Sequence, residues 1–265
     1  MRLRISHQTQ YSYDSPLPYA LQRIRLCPQS GPTQDVFSWK LDVLGAKEEV
    51  RFNDHFGNDT RLFSVTPGTS QVTILASGEV EVKNVSGVLG PHSGDAPLWL
   101  FQQETALTQH GPLATELLNG DERNVDLLEQ LHDLSARIRQ RVSYRVGATD
   151  ASTTAEEALN MGEGVCQDHT HIFLSTARRL GVPARYVSGY LMLDDTVQQV
   201  ATHAWAEAHI DGLGWVGFDV SNGISPDDRY TRIAVGRDYR DAMPFSGIRV
   251  GLAQELLEVH ITVEQ

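Results

Sequence analysis

From Arg2 to Tyr13, Leu3, Ile5, His7, Thr9, Tyr11 and Tyr13 alternate with arginine, serine and glutamine. A period of two puts one set of side chains on a single face of an extended chain, so the segment predicts a half-buried strand. Shorter runs of strand character follow at residues 21–26, 36–43, 49–53, 60–65, 72–76 and 79–82. Between them stand Ser15-Pro16, Ser30-Gly31-Pro32, Leu44-Gly45, Phe56-Gly57-Asn58-Asp59, Thr66-Pro67-Gly68 and Ser77-Gly78, residues that favour turns. Strands at this spacing predict an antiparallel sandwich or partial barrel through about residue 85.

The rhythm then changes. Ser86-Gly87 through Gly94, with Pro91, Pro97 and Pro112 around it, predicts a connecting segment. Asn124 is a candidate N-cap for a helix in which Val125, Leu128, Leu131, Leu134 and Ile138 recur at three- and four-residue steps, ending near Val142. Thr154 followed by Glu157 predicts a capping box on a short helix over 154–160, and 166–180 reads as a further helix closed by Gly181 and Pro183. Residues 184–192, 201–210, 215–220 and 256–263 are strand-like. The expected fold class is α+β, with a β-sandwich at 1–90, a connection at 91–120, a core at 121–235 and a C-terminal extension with a terminal strand at 236–265.

Charge removes several functions. Against 22 Lys+Arg stand 34 Asp+Glu, a formal charge of −12, so neither nucleic acid nor an anionic membrane is an expected partner. No apolar run approaches the roughly 20 residues that cross a bilayer, and the polar opening lacks the apolar stretch of a signal peptide. The expected location is the cytoplasm, and the expected assembly a monomer or small homo-oligomer. Cys27 and Cys166 are expected to be thiols.

Of these, Cys166 has a setting that activates a thiol. It follows Gly162-Glu163-Gly164-Val165 and opens a predicted helix, where unpaired N–H groups favour an anion and can also receive an oxyanion. Cys27, in a strand ahead of Pro28, reads as inert. A base is offered by His203, which shares one face of an alternating strand with Trp205, Glu207 and His209 while Ala204, Ala206 and Ala208 take the other. Asp219 on the next strand can orient the imidazole. Two odd-numbered positions face together only across an odd loop, so a three- or five-residue connection is predicted. With 211–213 as the loop, Asp219 falls opposite Trp205 and diagonal to His203. Trp205 and Trp215 are candidates for an acyl-binding groove, although aromatics on such strands are more often core. Tyr144 and Asn222 are candidates for flanking positions. Asp168, His169 and His171 fall on different faces of a helix, so no metal or other cofactor is expected.

The strings Gly164-Val165-Cys166-Gln167-Asp168-His169-Thr170-His171, Leu180-Gly181-Val182-Pro183-Ala184-Arg185-Tyr186-Val187-Ser188-Gly189-Tyr190, His203-Ala204-Trp205 and Gly214-Trp215 through Asp219 resemble the transglutaminase-like superfamily. The start of the chain, with Asp54-His55-Phe56-Gly57-Asn58, looks like the β-rich N-terminal domain of its bacterial members. The resemblance implies a papain-like core with the nucleophile at a helix N-terminus packed on an antiparallel sheet. It also implies a triad carried on Cys166, His203 and Asp219, and a thioester intermediate formed from a peptide or protein amide. Val220, where related sequences often have proline, lies outside that triad. Peptidase or amidase chemistry is the leading expectation, with acyl transfer to an amine or a non-catalytic binding module as alternatives.

Overall fold

The structure, a computed structural model of the chain, describes residues 1–118, 126–251 and 253–265. The strands through the first third are β1 (Arg2–Tyr13), β2 (Tyr19–Cys27), β3 (Gln34–Leu44), β4 (Ala46–Asn53), β5 (Asp59–Val65), β6 (Gln71–Val82) and β7 (Val88–Gly90). A 3-10 turn at Leu98–Gln102 leads to α1 (Pro112–Glu116), α2 (Leu127–Arg141), β8 (Ser143–Tyr144), α3 (Ala155–Met161), β9 (Glu163–Gly164) and α4 (Cys166–Arg179). There follow β10 (Ala184–Leu191), β11 (Gln198–Gln199), β12 (His203–Ile210), β13 (Gly214–Phe218), β14 (Tyr230–Gly236), α5 (Tyr239–Ala242), β15 (Phe245–Val250) and β16 (Glu255–Glu264). The fold is α+β and rich in antiparallel sheet; among the described residues only the short β8–β9 pair is parallel.

Two sheets hold the N-terminal strands, in the orders β11-β16-β1-β6-β3 and β15-β2-β5-β4. The face of β1 expected from its alternation is the buried one: Leu3, Ile5, His7, Thr9 and Tyr13 lie inside. The C-terminal strands return to this region, β16 pairing along β1 and β15 along β2. The sequence reading did not place β15, an edge strand whose residues are half-buried or exposed and so carry no alternation.

Residues 72–76 and 79–82 are one strand, not two strands around a Ser77-Gly78 turn. Val72, Ile74, Ala76, Val80 and Val82 are all buried, one unbroken face with Gly78 at its centre. Glycine is there for close approach: β3 bulges between Val36 and Ser38, and a Cβ at position 78 would sit 2.0 Å from the Ser38 carbonyl oxygen. Gly78→Val is therefore expected to cost on the order of 1–3 kcal/mol, because backbone must move. Denaturant titration checks this, and an unchanged midpoint would refute the packing argument.

A third sheet, β14-β10-β12-β13-β7, carries the site. Helix α4 packs on β12 and β10, and the small side chains of Ala204, Ala206 and Ala208 let it approach. Its side chains from Asp168 to Arg178 are buried, as a central helix requires. Helix α2 buries Leu131, Leu134 and Ile138 as its periodicity implies and is capped by Asp126, which accepts from Leu128 N at 2.9 Å. The predicted cap Asn124 and Val125 lie outside the described residues. Helix α3 has the expected Thr154–Glu157 capping box.

Candidate active site

Cys166 is the first residue of α4 and half-buried, so its thiol stands where the helix leaves N–H groups unpaired. The approach is fixed by β9, whose parallel pairing to β8 sets Tyr144 beside Gly164. Asp168, three residues into the helix, accepts from Val165 N at 2.7 Å and from the Thr149 hydroxyl at 2.6 Å. Gly164 is needed above it, since a Cβ there would lie 2.8 Å from the Asp168 side chain. Burial pushes the Asp168 carboxyl above the usual range, against those hydrogen bonds. Burial and the negative charge of nearby Cys166 push the Tyr144 hydroxyl up to about 12.

Strands β12 and β13 are joined by residues 211–213, a three-residue connection, with Ile210 opposite Gly214 and Ala206 opposite Phe218. That register carries Asp219, one residue past β13, to the level of Trp205. His203 Nε2 donates to Asp219 Oδ2 at 2.7 Å, which leaves Nδ1 for the Cys166 thiol, a group close enough to influence the charge of this imidazole. The structure thus brings Cys166, His203 and Asp219 together in one connected set.

Asp219 is fully buried and its Oδ2 also accepts from the Tyr230 hydroxyl at 2.7 Å and from Asn222 Nδ2 at 2.7 Å. Asn222 therefore holds Asp219. Tyr230 does the same, and it was missed because β14 carries no local signal that its hydroxyl crosses to the neighbouring loop. Trp205 and Trp215 are 1% and 2% exposed. Trp205 packs on Tyr230 and stacks beside His203, and Trp215 sits among Phe101, His92 and His209. Both are core side chains of this sheet. His169 donates to the Val142 carbonyl oxygen and takes the Ser221 hydroxyl on its other nitrogen, while His171 Nε2 accepts from Tyr239 N, so both are engaged elsewhere.

Its neighbours hold the His203 imidazole in its charged form. Burial disfavours the His203 imidazolium, but the Cys166 thiolate and the Asp219 hydrogen bond outweigh it and push the group up to about 10. Burial works against the Asp219 carboxylate too, and its bonds from His203, Tyr230 and Asn222 hold it below the ordinary range. The folded value for His203 is raised above its unfolded value of about 6.5, so this group's contribution to stability is complete below about pH 6.5. It is lost as pH rises through about 10. NMR titration of the imidazole is expected to show the charged ring near pH 8 and a lowered midpoint in Asp219→Asn. A wild-type midpoint near that of free histidine would overturn the pairing.

Family comparisons place this geometry. The model of the transglutaminase-like superfamily matches residues 112–220, a span that contains Cys166, His203 and Asp219, and that of the bacterial transglutaminase-like N-terminal region matches residues 3–81. An uncharacterised protein of Mycobacterium tuberculosis is 31% identical over 275 residues, covering 93% of this chain and 87% of the relative. The chain belongs to the transglutaminase-like superfamily. A second relative, an uncharacterised protein of Mycobacterium leprae, is 28% identical over 99% of this chain and 98% of its own length. Among solved structures, a candidate cysteine protease from Cytophaga hutchinsonii superposes with a TM-score of 0.81. At 22% identity, over 100% of this chain and 90% of that one, it shows a shared transglutaminase-like fold. No helix among the described residues is long and apolar enough to cross a membrane.

Proposed function

We propose that this transglutaminase-like protein is a cysteine-dependent amide-processing enzyme, a peptidase or amidase acting in the cytoplasm on a peptide or protein amide. The observation that carries the reading is the His203–Asp219 hydrogen bond at 2.7 Å onto a buried carboxylate, with the Cys166 thiol near the imidazole at the start of α4. In it His203 takes the thiol proton and the Cys166 thiolate attacks the amide carbonyl. The Cys166 N–H, at the start of α4, receives the developing oxyanion in this reading. The imidazolium then gives its proton to the leaving amine, and a thioester remains. Water releases the acid and regenerates the thiol, or a second amine takes the acyl group.

Alkylation by iodoacetamide tests the pair, with Cys27→Ser in every protein. Cys27 is a slow background thiol, since burial pushes it up to about 11. Cys166 is expected to react at pH 6 at least tenfold faster than free cysteine, and His203→Ala is expected to remove that advantage. A thiol that is slow and indifferent to His203 would defeat the reading in favour of a binding module. Product analysis with and without a primary amine then separates hydrolysis from transfer.

A further inference from the structure

On the face of the central sheet turned away from α4 lies a cavity of about 270 Å³. Its walls come from the turn at 29–34, the loop at 56–58, the segment at 89–94 and strands β10, β13 and β14. The N-terminal strands and the sheet that carries the site thus meet across it, a common setting for small-molecule sites.

Charge is unbalanced here. Glu207, fully buried, accepts from Arg185 Nε at 2.6 Å and from Arg232 Nη2 at 3.2 Å, and its other oxygen lies 2.9 Å from Arg232 Nε. Two guanidinium groups share one carboxylate, and the Arg185 and Arg232 side chains are only 12% and 23% exposed. Both arginines line the cavity, and the Nη groups of Arg185 and Nη1 of Arg232 have no acceptor among the described residues. In a chain of net charge −12 this is one uncompensated positive charge, held in place by stacking of Arg185 on Trp215 at 3.9 Å. Phe56, Leu89 and Trp215 supply apolar wall beside it.

We propose that the cavity binds a small monocarboxylate with an apolar body, its carboxylate on Arg185 and Arg232 and its body against Trp215, Phe56 and Leu89. A carboxylate cancels the excess charge, and guanidinium donors match its two oxygens. A phosphate monoester, at roughly −1.5 to −2, would leave the site negative. The apolar wall selects against acetate-sized acids, which would leave most of the volume to water. The carboxylate can belong to a free acid or to the C-terminus of a peptide. The site is separate from the thiol and does not depend on its chemistry.

Isothermal titration calorimetry at fixed ionic strength decides it, with hexanoate, N-acetyl-leucine, N-acetyl-leucinamide and inorganic phosphate as probes. Saturable binding with a Kd below about 1 mM is expected for at least one carboxylate, and at least tenfold weaker binding for the amide and for phosphate. Preference for hexanoate identifies a free acid as the ligand, and preference for N-acetyl-leucine a peptide C-terminus. Arg232→Gln, which leaves Glu207 one guanidinium, and Ser93→Phe, which adds bulk at an exposed wall position, are each expected to weaken binding at least tenfold. Should Arg232→Gln fail to fold, Ser93→Phe decides alone. No binding of either carboxylate, equal binding of acid and amide, or affinity unmoved in the folded variants would overturn the proposal.

Discussion

Cys166→Ala is expected to lower amide turnover by about 10⁴-fold or more while leaving the protein folded. Removing the nucleophile of a catalytic triad removes the covalent route entirely, and what survives comes from binding and oxyanion donors alone. The side chain is small, half-buried and at the first position of α4, and alanine is a good helix former, so no structural cost of similar size accompanies the change. Turnover of an amide substrate found by screening, beside a thermal melt, checks both halves. Retention of more than a tenth of wild-type turnover would mean that another group performs the chemistry.

Arg178→Ala is expected to cost about 3–5 kcal/mol of stability, roughly 10 °C or more in the melting temperature. This arginine, in the last turn of α4, is 5% exposed, and it donates to carbonyl oxygens of Phe101, Ala184 and Arg237 and to the Thr108 hydroxyl, all at 2.5–2.9 Å at closest. Four separate stretches of chain meet on one guanidinium. Truncation strips their acceptors of partners and leaves a void as well. The neighbouring Arg179 is exposed, and Arg179→Ala is expected to stay within about 0.5 kcal/mol of wild type. Equal midpoints for the two variants would refute the role assigned to Arg178.

Arg178 also marks where sequence reading stops. Its helix was legible from Ile172, Phe173, Ala177 and Leu180, yet nothing in that pattern separates a buried arginine from the exposed one beside it. The acceptors come from the 3-10 turn, from the loop at Thr108, from β10 and from the segment after β14, and no local signal announces such a meeting. The relation of His203 to Asp219 was legible because it needs only strand alternation and the parity of one loop, both local properties. Tyr230, whose hydroxyl reaches Asp219 from β14, was not. The break expected at Ser77-Gly78 failed for a related reason: a glycine that opens a turn and a glycine that makes room for a bulge on the adjacent strand read alike.

Strand β16 lies between β1 and β11, and it joins segments far apart in the sequence, with Arg4 opposite Glu264. For a bare chain, closing a loop of 260 residues costs about 5 kcal/mol in its length-dependent part. On the ribosome, β1 can pair with β6 early, but its other edge stays open until residues 255–264 emerge. Strand β11, four residues before His203, waits for the same ten residues. The thiol can therefore be in place on its helix well before the segment leading to its base is anchored. A chain that folds as it is made anchors the segment leading to His203 only once β16 has docked, so the juxtaposition of Cys166 and His203 is completed late in assembly.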